Sequence, residues 1–117
     1  MQLQHLTLEQ TTSQASVRQR ELEVGDLVLR AVHAGDAFLV RRACAGVAAL
    51  DTSPVRRSLK RVAEGLQEAD VAGIAAGLLG YGAALERHGV YAAAEAAYRT
   101  VMDVRPDEAC VTLHTAR

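Results

Sequence analysis

Residues 71–85 read VAGIAAGLLGYGAAL, an uncharged run of fifteen residues between Asp70 and Glu86, with glycine at 73, 77, 80 and 82. So many glycines among apolar residues suit a loop that cradles a phosphate, a membrane-spanning helix, or a helix against which a neighbour packs very closely. A spanning helix needs about twenty apolar residues, so this run is too short. A phosphate loop sets its glycines between a strand and a helix, in the order G-x-G-x-x-G or followed by Lys and Ser/Thr. Here the order is G-x-x-x-G-x-x-G-x-G, and no Lys, Ser or Thr occurs between Asp70 and Arg99. The helix remains. Each glycine costs it about 1 kcal/mol relative to alanine, a penalty a small domain tolerates where the missing side chains admit a close neighbour.

The rest of the composition agrees with a helical reading. The 117 residues fit one domain. Half are hydrophobic, but alanine supplies much of that fraction and aromatic residues only 3%, so the core must be built from small side chains at short distances. No run of Val, Ile, Thr and aromatics has the period of two that a strand needs. The net charge of −1 is uneven: residues 1–62 carry nine Arg/Lys against six Asp/Glu, and residues 63–117 carry four against eight. Such an asymmetry suits ordinary solvated surface, steering of a partner, or head-to-tail pairing of two copies. The polar start MQLQHLTLEQTTSQ has no apolar core like that of a signal peptide. With only Cys44 and Cys110 present, a soluble chain in a reduced, cytoplasmic setting is expected, with Cys44 a small core residue.

Periodicity and capping residues divide the chain into five to six helices. Residues 1–15, rich in Gln and Thr, are expected to form a loose arm. Val24, Leu27, Val28, Ala31 and Val32 recur at helical spacing in a first helix over 16–34, ended by Gly35. Asp36 caps a second, with Val40, Ala43, Cys44 and Val47 on one stripe. Ser53 and Pro54 start a third, whose stripe is Val55, Leu59, Val62 and Leu66. Asp70 caps a fourth and Gly89 closes it; a fifth runs over 91–104, stopped by Pro106. Asp107 and Glu108 open a sixth. Connections this short imply antiparallel helical hairpins, an all-α architecture.

Residues 75–108 resemble a tetratricopeptide repeat (TPR), a 34-residue helical hairpin with the signature W-x2-L-G-x2-Y, then A-x3-F, then P. The stretch reads Leu78-x2-Tyr81-Gly82-x2-Leu85, then Gly89-x-Tyr91, Ala94-x3-Tyr98 and Pro106, in the same register. Leu78 for Trp, Tyr81 for Leu and Leu85 for Tyr depart from the signature but stay apolar. The resemblance covers about a third of the chain. It implies a short right-handed superhelix in a single domain over 16–117, with degenerate hairpins over 16–69, the repeat at 75–108 and a partial capping helix at 109–117. It further implies that Gly82 and Ala94 let the two helices approach, and that Tyr98 fills the wedge toward a following hairpin. In the family the first helix of each repeat lines a groove for extended peptides or helices. By position that face is Ala76, Leu79, Ala83, Glu86 and Arg87. The implied role is a non-enzymatic scaffold for another protein, a peptide segment, or a second copy in a homodimer.

A competing reading rests on 36–68, where a helix, a short turn and the basic start SPVRRSLKR look like a helix-turn-helix. There Arg56, Arg57, Lys60 and Arg61 would lie opposite the apolar stripe, within reach of phosphates. Any solvated helix face shows the same pattern, and the domain is not basic overall, so nucleic acid is the less favoured partner. Cys110 and His114, four apart, supply half a metal site with no second pair nearby in sequence. No Ser or Cys nucleophile has a recognisable base beside it. Neither an enzymatic role nor a cofactor is therefore expected.

Overall fold

The computed structural model describes the backbone of residues 2–105 and the side chains of residues 16–105. Among the described residues every regular element is an α-helix. The five helices are α1 (Gln2–Ala34), α2 (Ala37–Ala48), α3 (Pro54–Glu68), α4 (Val71–Arg87) and α5 (Tyr91–Val104). The expected sixth helix at 109–117, together with Cys110 and His114, lies outside the described residues.

Local chemistry sets the ends of these helices. Asp36 Oδ1 accepts from the Phe38 N–H at 2.7 Å, Ser53 Oγ from Arg56 at 3.0 Å, and Asp70 Oδ1 from Gly73 at 3.1 Å. Each satisfies an amide at a helix N-terminus that has no intrahelical acceptor. Gly35 and Gly89 close α1 and α4 with φ of 63° and 77°, a left-handed backbone that glycine adopts without steric cost. The end of α3 instead places Ala69 at φ 54°. Ala69 is exposed, and its Cβ crowds the backbone in that conformation at a cost of about 1 kcal/mol. Ala69→Gly is therefore expected to raise stability by about 0.5–1 kcal/mol, seen as a rise of a few degrees in Tm. A lower Tm would mean that this residue does not take the left-handed turn.

One boundary differs from the sequence expectation. α1 starts at Gln2, so the stretch read as a loose arm is helical in backbone. The first 24 residues contain no Gly or Pro and are rich in Leu, Gln, Glu and Arg, all good helix formers. A helix already nucleated by the packed turns near Val28 extends through such residues without a new nucleation cost. Apolar periodicity is silent there.

Helices consecutive in sequence pack against one another, and α1 also lies against α3 and α5. A unit in an open helical stack touches its nearest neighbours alone, so α1 adds a contact from the first helix to the last described one. The core runs through all five: Val28 and Ala31, Ala43 and Val47, Leu59 and Val62, Leu78 and Tyr81, Ala97 and Val101. Side-chain bonds fasten α1 to the rest. The Ser53 hydroxyl donates to Glu21 at 2.6 Å, His33 Nε2 lies 3.2 Å from Thr100 Oγ1, and Arg18 reaches His88.

The glycines of 71–85 face two different neighbours. A methyl group built on Gly77 would stand 2.8 Å from the Val62 backbone nitrogen and 2.9 Å from the Ser58 carbonyl oxygen, both in α3. From the other side, a methyl on Gly65 of α3 would lie 2.9 Å from the Ile74 nitrogen. The close neighbour of α4 is thus the helix before it, and the two backbones touch. Gly82 faces α5, where a methyl would lie 2.6 Å from Tyr98 Cε1. Ala94 is buried on the same helix, and the atoms nearest to Gly82 belong to Tyr98. Tyr98 is the larger side chain at that crossing, and its ring covers Gly82 within the hairpin.

Candidate functional site

On α4, the inward side carries Ile74, Leu78, Tyr81 and Leu85, all buried. The opposite side carries Ala72, Ala76, Leu79 and Ala83, spaced three or four apart and so aligned along one face. Ala72 and Ala76 are exposed and Leu79 and Ala83 half-buried, with no described helix over them. Glu86 and Arg87, also exposed, end the strip. α3 flanks it on one side and α5 on the other, whereas α2 does not contact α4. The surface is therefore built from three consecutive helices, α3, α4 and α5.

Two depressions border the strip. The one toward α3, about 460 Å³, is lined by Arg57, Ser58, Lys60, Arg61, Glu64, Ala76 and Gly77. The one toward α5, about 450 Å³, is lined by Glu86, Tyr91, Ala94, Glu95, Tyr98, Arg99 and Met102. Both exist because α4 contributes little bulk: Gly77 and Ala76 floor the first, and Gly82 lets Tyr98 lie low beside the second.

The two sets of residues that the sequence suggested as rival sites thus belong largely to one surface. Ala76 stands in the same depression as Arg57, Lys60 and Arg61. Arg56 is the exception, and its placement is corrected. It is half-buried, and its Nε donates to the Val47 carbonyl at 3.3 Å, at the C-terminal turn of α2. Steps of about 100° per residue from Val55 put Arg56 at the margin of the apolar stripe and Arg57, Lys60 and Arg61 beyond it. That signal was present in the sequence. α3 is itself flanked by α2 and α4, and its exposed face carries Arg57, Lys60 and Arg61.

Charge is divided across the surface. The α3 edge holds three cations against the single carboxylate of Glu64. Toward α5 stand Glu86 and Glu95, with Arg99 bonded to Glu95. Burial, together with a hydrogen bond to Glu86 and the charge of that carboxylate, pushes the Tyr98 hydroxyl up to about 12, with Arg87 opposing. Tyr98 is thus a neutral phenol at any ordinary pH.

A further depression between α1 and α5, about 470 Å³, is rich in charge but satisfied internally. Asp26 pairs with Arg30 at 3.1 Å, Glu95 with Arg99, and His33 Nδ1 lies 3.9 Å from Asp103. The first two pairs lie within one helix, and His33 with Asp103 spans α1 and α5. Cys44 is half-buried, and burial pushes its thiol up, away from the thiolate a nucleophile needs. Among the described residues no three His, Cys, Asp or Glu side chains converge as a metal site requires, and no helix is long and apolar enough to cross a membrane.

Comparison with protein-family models, with curated proteins and with solved structures finds no match to the chain.

Proposed function

We propose that this chain is a non-enzymatic protein-interaction module, TPR-like in the hairpin formed by α4 and α5, which receives a segment of another protein on the outer face of α3, α4 and α5. In this reading the hairpins belong to a short right-handed superhelix, and the module serves as a scaffold. The observation that carries it is the uncovered strip of Ala72, Ala76, Leu79 and Ala83 between two depressions. Apolar surface set between hollows and rimmed by charge is the usual form of a protein-binding face.

Leu79 is the bulkiest residue of the strip and is half-buried against the edge of the core, so placing a charge there removes the strip's main apolar contact. Peptides selected from a displayed library on the native chain are expected to lose at least about tenfold in affinity on Leu79→Glu, with helical circular dichroism unchanged. Equal binding to both proteins would remove α4 from the site. Light scattering on the purified chain tests the self-assembly form of the same reading: a dimer supports pairing of two copies, and a monomer restricts the module to other partners.

A further inference from the structure

We infer that the segment bound on this face is an amphipathic helix of a partner protein whose acidic edge lies along Arg57, Lys60 and Arg61; the inference rests on the interaction reading above and adds the chemistry of the partner. Three features converge on it. The first is backbone geometry. Binding by strand addition needs an exposed sheet edge, and every regular element among the described residues is a helix. A helical surface of small side chains instead accepts another helix, as when an apolar face is laid into a groove. With Ala72, Ala76 and Ala83 on the floor, nothing bulky but Leu79 keeps the two helices apart.

The second feature is charge placement. Arg57, Lys60 and Arg61 fall within about one turn of α3, roughly 6 Å of helix axis. Acidic residues three or four apart along a partner helix repeat at the same interval. Among the described residues Glu64 is the only carboxylate lining that depression, so the cations outnumber it. The third feature is polarity across the groove. Glu95 on the α5 side is paired with Arg99, which leaves Glu86 to disfavour an acidic edge there, whereas Tyr98 and Met102 offer apolar contact. A helix with one acidic edge therefore has a preferred rotation, with acid toward α3 and apolar residues over Leu79 and Tyr98.

The test uses the full chain and three labelled synthetic helical peptides that share one Leu/Ala face and carry Glu, Gln or Lys along one edge, titrated by fluorescence anisotropy. The Glu peptide is expected to bind about tenfold more tightly than the Gln peptide, and the Lys peptide weakest of the three. The Glu–Gln gap should close at about 1 M salt, where screening acts over roughly 3 Å. Arg57→Gln with Lys60→Gln should erase the gap, and Arg57→Glu with Lys60→Glu should reverse the order. Arg57 and Lys60 are exposed, and circular dichroism checks that each variant is folded. Equal binding of the Glu and Gln peptides to the native chain overturns the acidic edge while leaving the apolar interaction reading in place. Failure of all three peptides overturns both. Binding of a short DNA duplex in their stead, lost on charge reversal, assigns the cations to nucleic acid and likewise overturns the inference.

Discussion

Gly77→Ala is expected to lower the free energy of unfolding by about 2 kcal/mol, although alanine is the better helix former. The added methyl meets the Val62 nitrogen and the Ser58 carbonyl oxygen of α3, backbone atoms that move only if the whole helix moves. Overpacking of this kind costs typically about 1–3 kcal/mol and at times more, against about 1 kcal/mol returned by helix propensity. Gly80→Ala supplies the control on the same helix. Its methyl would meet only the Ser58 side chain, with Oγ at 2.7 Å, and a hydroxymethyl group can rotate away. That variant should be as stable as the native chain or slightly more so. Thermal and urea melts separate the two, with Tm for Gly77→Ala lower by roughly 10 °C. An unchanged or higher Tm for Gly77→Ala would show that α3 and α4 do not touch there.

The second large effect joins α1 to α4. Gly25→Ala is expected to cost about 2–3 kcal/mol, because a methyl at that point overlaps the Tyr81 hydroxyl and stands 2.5 Å from Cζ. Tyr81 is 2% exposed, so its ring has no free space to enter. Burial beside Asp26 and Glu21 pushes its pKa to about 12, and the group that α1 receives is the neutral phenol. Tyr81→Leu alone should cost about 2–4 kcal/mol through the cavity it leaves. In the double variant the two losses should fall short of their sum by more than about 1 kcal/mol, since the methyl then has room. Strict additivity in denaturant melts would mean that α1 is not seated over Tyr81.

Features that depend on a few neighbouring residues were legible in the sequence. Asp36, Ser53 and Asp70 cap the helices assigned to them, and Gly35 and Gly89 end theirs, because a cap bonds to an amide only two or three residues away. The apolar stripes also read correctly: Val28, Ala31, Leu59 and Val62 are fully buried, and Leu66 is half-buried. The start of α1 was not legible from periodicity, since residues 1–14, rich in Gln and Thr, carry no strong apolar repeat. At the candidate site, Arg57, Lys60 and Arg61 were singled out for their charge and Ala76, Leu79 and Ala83 through a family resemblance. No sequence signal said that the two sets meet across the seam between α3 and α4.

By itself the sequence determined that the chain is helical, where most helices begin and end, and that 71–85 must have a very close neighbour. Those conclusions rest on propensity, capping and the cost of glycine, all properties of the chain over a few turns. Only the tertiary structure decided which neighbour that is: α3 for Gly77 and Gly80, and Tyr98 of α5 for Gly82. It also decided that Arg56 turns toward α2 while the next three cations share a depression with α4. Side-chain period specifies the face a residue occupies, but the partner of that face depends on how whole helices pack, which is a balance of contacts between segments distant in sequence.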